Sequence, residues 1–142
     1  MIEQDATNKR WLLKTEPDVY SYANLVRDGT TMWDGIANNA ALKHMRSMQR
    51  GDQALVYHTG DQRQIVGIAE IMGAAYPDPN KGDLKLLVFD LRPLHPLPAP
   101  VTLAAIKADP FFTSWALVRE PRLSVMPVSP EQWARILAMA GE

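Results

Sequence analysis

The sequence predicts an α+β fold, in which a small mixed β-barrel carries helices on its outside. Segments with the alternation and β-branched residues of strands are interleaved with short helical segments. Neighbouring strand segments are joined by short turns, which favours antiparallel pairing and a small barrel. Eleven prolines, concentrated in the second half, argue against an all-helical chain.

The first half of the chain alternates strands and helices. A strand is predicted over residues 10–15 and is ended by Glu16-Pro17. Ser21 is a good N-cap for a short helix over 22–27, which Gly29 ends. A brief strand at 30–33 precedes a second helix, which is capped by Asn38 or Asn39 and runs to about residue 49.

The second half is richer in strands. Ser129 and Gln132 form a capping box that starts a C-terminal helix reaching residue 140. Gly67 lies inside a strand segment, which indicates a bulge or a close backbone approach. Strands are predicted at 53–58, 65–72, 84–91 and 123–128, with a proline-broken connection at 93–100 and a short helix at 103–108.

Composition limits the possible functions. The 142 residues are enough for one domain with a core, and we assign residues 1–9 to a disordered tail and 10–142 to a single domain. The net charge of −1 argues against unspecific coating of nucleic acid. The chain has no cysteine, no long apolar run and no signal-peptide pattern, so we expect a soluble cytoplasmic protein with no membrane association.

Four tryptophans carry the main functional signal. Trp11 and Trp133 lie in apolar patterns that are typical of a core. Trp33 and Trp115 lie in loop-like segments beside amide, hydroxyl and basic residues. Aromatic planes next to such groups suit a flat heterocycle, such as an unstacked base. A purely structural role remains the alternative for each tryptophan.

Polar candidates lie at predicted strand ends. Lys14 and Thr15 end the first strand and His58 ends the third, where pocket residues of a barrel often lie. An ordinary surface or hydrogen-bonded histidine is an equal alternative for His58. Basic residues that could meet phosphates, or be solvated or paired with acids, are Lys43, Arg46 and Arg50 on one helix face and Arg119 and Arg122 after Trp115.

Patterns for catalysis and cofactors are missing from the sequence. No glycine-rich phosphate loop and no nucleophile elbow occurs. His44, His58 and His95 are far apart and lack the spacing of metal ligands. We therefore expect no cofactor, no metal and no catalytic residue.

Several segments together resemble the EVE domain family. They are Trp11 to Pro17 (WLLKTEP), Trp33 to Asn38 (WDGIAN), Gly51-Asp52, Val56 to His58, Ile65 to Glu70 (IVGIAE), Ala75 to Pro79 (AYPDP) and Leu123 to Val125. Their order and spacing cover nearly the whole chain beyond the tail. The resemblance implies a PUA-like barrel, related to the YTH and ASCH groups.

The resemblance also implies a function. It points to a non-enzymatic module that binds a base, often a modified one, extruded from DNA or RNA. Carried over by position, the pocket candidates are Lys14, Thr15, Trp33, Asn38, His58 and Trp115.

Two alternatives remain open at this point. One is a small amidohydrolase acting on modified nucleosides, in which Lys14 activates Thr15 and Glu70 is the acid/base partner. Adjacent strand residues point to opposite faces, which argues against a meeting of Lys14 and Thr15. The other is a protein-interaction domain with a vestigial pocket. Ala37 and Asn39 favour it, because relatives often carry arginine and an aromatic residue at those positions.

Overall fold

The computed structural model describes residues 8–142, which form one mixed sheet of seven strands that curls into a half-barrel. Five α-helices and one 3-10 helix pack around it. The elements are β1 (Arg10–Thr15), α1 (Tyr22–Asp28), β2 (Thr31–Trp33), α2 (Asn39–Met45), β3 (Gln53–His58), β4 (Gln64–Ile71), β5 (Tyr76–Pro77), β6 (Leu87–Thr102), α3 (Leu103–Ala108), the 3-10 helix (Pro110–Phe112), α4 (Ala116–Arg119), β7 (Val125–Pro127) and α5 (Pro130–Met139).

The strand order is β2-β6-β4-β3-β1-β7, and β5 pairs with β6 outside this path. Most neighbours are antiparallel, as the short turns predict. The exception is β1 with β3, which run parallel from Arg10 opposite Gln53 to Thr15 opposite His58. The segment with α1, β2 and α2 supplies the long crossover that a parallel pair needs.

The prediction of a strand at 84–91 followed by a loop at 93–100 is wrong. Strand β6 continues through the prolines from Leu87 to Thr102 without a break. Beyond Leu91, β6 no longer pairs with β2 or β5, and among the described strands its partner there is β4. Its outer side is therefore a free edge, where the missing N–H of proline costs no ladder hydrogen bond. The register with β4 also shifts twice along this stretch.

Helix α2 is shorter than predicted and ends at Met45 instead of residue 49. The amides of Ser47 and Met48 bond three residues back, which tightens the chain into a turn. The buried Asp52 carboxylate then accepts hydrogen bonds at 2.9 Å from the Gln49 amide and the Trp11 indole. Arg50 therefore does not share a helix face with Lys43 and Arg46.

The predicted capping sites are confirmed. Ser21 caps α1 and Ser129 caps α5, each in a reciprocal capping box. Trp11 and Trp133 lie in the core, as predicted. Within the described part of the chain, every helix is too short or too polar to cross a membrane.

The predicted tail at residues 1–9 lies largely outside the described residues. Lys9 is hydrogen-bonded to the fold through its backbone. Its amide donates to the Asp52 carboxylate at 2.9 Å, and its carbonyl accepts from the Gln53 amide. Lys9, the last residue of the predicted tail, is therefore hydrogen-bonded to the domain.

Candidate functional site

A concave space of about 410 Å³ opens at the C-terminal ends of β1 and β2, and we call it cavity A. The loop after β1 and the segment before β7 complete its walls. Its volume lies in the range of small-molecule sites. It is lined by Lys14, Thr15, Val19, Tyr20, residues 31–36 and Ser124.

Two aromatic rings stand together at cavity A. Trp33 ends the short strand β2, which pairs with Phe89 of β6 and fixes the indole beside the cavity. Tyr20 meets Trp33 edge to face, with ring centroids 6.1 Å apart and planes at 85°. The Tyr20 hydroxyl is held by the Asp28 carboxylate at 2.8 Å. The wall is therefore both apolar and fixed in orientation.

Lys14 and Thr15 both line cavity A, contrary to the expectation that adjacent strand residues could not meet in one pocket. The cavity lies at the end of the strand rather than on one face of it. Lys14 Nζ donates to the Pro121 carbonyl at 2.8 Å and lies 5.8 Å from the Tyr57 ring centroid. Partial burial lowers the pKa of the Lys14 ammonium. The Thr15 hydroxyl donates to the Tyr20 carbonyl at 2.6 Å.

His58 is a buried joint between elements and does not line cavity A. Its Nε2 accepts the Tyr22 amide at 3.0 Å, so the ring proton lies on Nδ1, which faces Gln62 Oε1 at 2.8 Å. Beside it, the Tyr22 hydroxyl donates to the Ile68 carbonyl at 2.7 Å. The structure thus favours the hydrogen-bonded alternative for His58.

Trp115 does not line cavity A. It is 4% exposed, packs on Phe112 with ring centroids 5.3 Å apart, and donates from its indole to the Pro127 carbonyl at 3.3 Å. Two short helical turns place Phe112 and Trp115 three residues apart on one inward side. That spacing was the available sequence signal for a core residue.

Asn38 and Arg122 line a second concave space, cavity B, of about 360 Å³. The Asn38 side chain caps α2 by accepting the Ala41 amide at 3.0 Å. The two cavities are neighbours, because the same two chain segments, near residues 34–40 and 120–124, contribute to both. Among the other basic candidates, Lys43, Arg46 and Arg119 are exposed and line neither cavity.

The arrangement needed for the amidohydrolase alternative is not formed. Glu70 lies opposite Gln53 at the start of β3, whereas Thr15 lies opposite His58 at its end. Glu70 is also bound to Arg92 at 2.6 Å. The three residues assigned to that reaction therefore do not share a site.

Eight of the eleven lining residues of cavity A were not among the predicted site residues. The eight include Tyr20, Asp34 and Ser124, which carry polar groups that a ligand could contact. Ser124 reaches cavity A because its carbonyl accepts the Lys14 amide next to the antiparallel pair of β1 and β7. The sequence predicted a strand at 123–128. It did not predict that this strand pairs with β1, because strand pairing depends on the tertiary topology.

Comparison with known proteins gives a consistent result. The EVE domain family matches residues 9–139. Thymocyte nuclear protein 1 of Gallus gallus is 36% identical over 95 residues, which cover 58% of this chain and 39% of that protein. The chain thus matches about two fifths of that relative's length.

Solved structures show the same architecture. A protein from Rhodopseudomonas palustris is 44% identical, with a TM-score of 0.89 and coverage of 94% of this chain and 93% of that one. Human THYN1, solved in complex with DNA containing 5-methylcytosine, is 24% identical, with a TM-score of 0.86 and coverage of 95% and 99%. The chain belongs to the EVE domain family and has the PUA-like fold that its sequence predicts.

Proposed function

We propose that the domain binds a modified base of DNA, turned out of the helix, in cavity A. The observation that carries this proposal is a cavity of about 410 Å³ with a tryptophan wall and a single cation among its lining residues. The human THYN1 complex with 5-methylcytosine DNA supports the choice of ligand, since that protein shares the fold. No catalytic step is assigned to the site.

The chemistry of cavity A fits an extruded base. Trp33 offers a fixed surface on which a base can stack, and Tyr20 holds the indole in place. Lys14, Thr15 and Ser124 add polar groups near the position of the base edge. Trp115, His58 and Asn38 lie elsewhere and are left out of the proposed contact set.

Exposed basic side chains near the two cavities are proposed to meet the backbone. Arg122 lines cavity B next to cavity A, and Lys43, Arg46 and Arg119 are solvent-exposed. With a net charge of −1, we expect only about two to four phosphate contacts. The logarithm of the binding constant should then fall with the logarithm of salt at a slope of roughly −2 to −4.

The test compares two tryptophans of similar burial, Trp33 at 7% and Trp115 at 4% exposure. Each is replaced by leucine, which keeps an apolar side chain but removes the indole plane. Affinity is measured by fluorescence anisotropy for DNA and RNA oligonucleotides that carry one 5-methylcytosine or one cytosine. Trp33→Leu should weaken binding by about 1–3 kcal/mol, the value of one base–aromatic stack.

Trp115→Leu is the matched control and should lower the melting temperature without a specific loss of affinity. Equal affinities of wild type and Trp33→Leu for every oligonucleotide bound would remove cavity A as the site. Stronger binding of RNA than of DNA would keep the pocket but reassign its partner.

A further inference from the structure

Cavity A contains two charged side chains with different surroundings. Among the described residues that line it, Asp34 is the one acid and Lys14 the one cation. Asp34 directly follows Trp33, and Gly35, with φ of 80°, turns the chain immediately afterwards. The carboxylate is therefore carried on the residue next to the proposed stacking wall, at a bend that only glycine adopts readily.

Among the described residues, Asp34 is also unpaired, unlike three acids of the fold that are bound to arginines. Asp28, Glu70 and Asp109 are paired with arginines, whereas within residues 8–142 no hydrogen bond or ion pair engages the exposed Asp34 carboxylate. An unpaired carboxylate beside a phosphate backbone opposes binding through like-charge repulsion. It favours binding where it accepts a hydrogen bond from a base amino group.

Two of the hydroxyl groups that line cavity A, those of Thr15 and Tyr20, already donate within the fold. Thr15 donates to the Tyr20 carbonyl and Tyr20 donates to Asp28. Lys14 gives one of its three N–H donors to the Pro121 carbonyl, so two are left for a ligand. Asp34 is a charged acceptor in the same cavity. A cytosine-type edge presents an amino donor at position 4 and a carbonyl acceptor at position 2, which matches this pair. Thymine presents a carbonyl at position 4, which a carboxylate repels.

We infer that Asp34 makes cavity A selective for bases with an amino group at position 4, of the cytosine type, while Lys14 binds the carbonyl that cytosine and thymine share. This inference rests on the proposed function, since it assigns the edge contacts of the same pocket. Position 4 sets the choice between bases, and position 2 contributes equally to both.

The experiment uses two probes that differ only at the base edge. 5-Methylcytosine and thymine carry the same methyl group and differ at position 4 and in the proton on N3. Each is placed in the same DNA duplex opposite an abasic site. The probe base then has no pairing partner, so the two probes do not differ in the cost of opening a base pair. Affinities of wild type, Asp34→Asn and Lys14→Met are measured at one stated salt concentration.

Wild type should bind the 5-methylcytosine probe about tenfold more tightly than the thymine probe. Asp34→Asn should bring this ratio close to one, because an amide can turn its donor toward the thymine carbonyl. Lys14→Met should weaken binding of both probes by a similar factor and leave the ratio unchanged. Asp34 is exposed, so its replacement should leave the melting temperature within about a degree of wild type.

Two results would overturn the inference and leave the proposed function intact. One is equal wild-type affinity for both probes, and the other is an unchanged ratio in Asp34→Asn, each together with a loss of binding in Trp33→Leu. Failure of wild type to bind either probe, with no effect of Trp33→Leu on any oligonucleotide, would overturn both proposals.

Discussion

Thr15 and His58 lie opposite each other at the ends of the parallel strands β1 and β3, yet their surroundings differ. Around His58, both ring nitrogens have partners, and the Tyr22 ring fills the space above Gly67. Beside Thr15, cavity A holds water-accessible space next to Trp33, Lys14 and Asp34. We call the first region, formed by His58, Gln62, Tyr22, Gly67 and Ile68, the His58 joint.

This difference separates a supporting role from a binding role. In the His58 joint, the polar groups satisfy one another, so the region fixes α1 against β3 and β4. In cavity A, the Asp34 carboxylate has no partner within the described residues and is available to a ligand. Proximity to a strand end therefore does not by itself make a residue a ligand contact.

The largest effect is expected for Gly67→Ala in the His58 joint. A Cβ at Gly67 would lie 2.5 Å from the Tyr22 ring, and the ring cannot withdraw easily because its hydroxyl bonds to Ile68. We expect a loss of about 3 kcal/mol in the free energy of unfolding, measured by urea denaturation. Gly73→Ala is the control, since a Cβ there has nothing within 4 Å. Similar stabilities of the two variants would contradict the close approach.

His58→Ala tests the comparison directly. The substitution leaves the buried Tyr22 amide at the start of α1 without an acceptor, which should cost about 2 kcal/mol of stability. Affinity of the folded protein for a 5-methylcytosine oligonucleotide should stay within twofold of wild type. His95→Ala, at an exposed site, is the control for loss of an imidazole. Unchanged stability with a large loss of affinity would place His58 in the binding site instead.

Local patterns explain which parts of the fold were predicted correctly. The strands at 10–15 and 53–58 and the capping boxes at Ser21 and Ser129 depend on neighbours in sequence, and the structure confirms them. The parallel pairing of β1 with β3 and the passage of β6 through its prolines depend on which strands become edges. Which strands pair and which become edges is decided by tertiary packing, so local sequence patterns do not predict it.

The candidate site shows the same division. The sequence singled out Lys14, Thr15 and Trp33, and these three line one cavity. Their role in binding stays a prediction. Trp115 packs on Phe112 because short helical turns absent from the predicted elements place it there. Asn38 caps α2, which is one of the two caps that the sequence predicts for that helix. Asp34 and Ser124 join the site only through the arrangement of β2 and β7 around the end of β1.

The smallest effect is expected for Tyr22→Phe, which keeps the ring above Gly67 and removes only the hydroxyl. Loss of the hydrogen bond to the Ile68 carbonyl should cost about 1 kcal/mol below pH 10. Burial raises the pKa of Tyr22 from 10.0 to about 12. The folded state therefore favours the neutral phenol, and this contribution is complete below pH 10 and is lost as the pH rises to about 12.

The free energy of unfolding of wild type should thus fall more steeply than that of Tyr22→Phe between pH 10 and about pH 12. Tyr20, Tyr57 and Tyr76 also have raised pKa values, but they are common to both proteins and cancel in the difference. Urea titrations at several pH values measure this difference. Parallel curves over that range would mean that the Tyr22 hydroxyl is equally free to ionise in the folded and unfolded states, and that the His58 joint is more open than its geometry indicates.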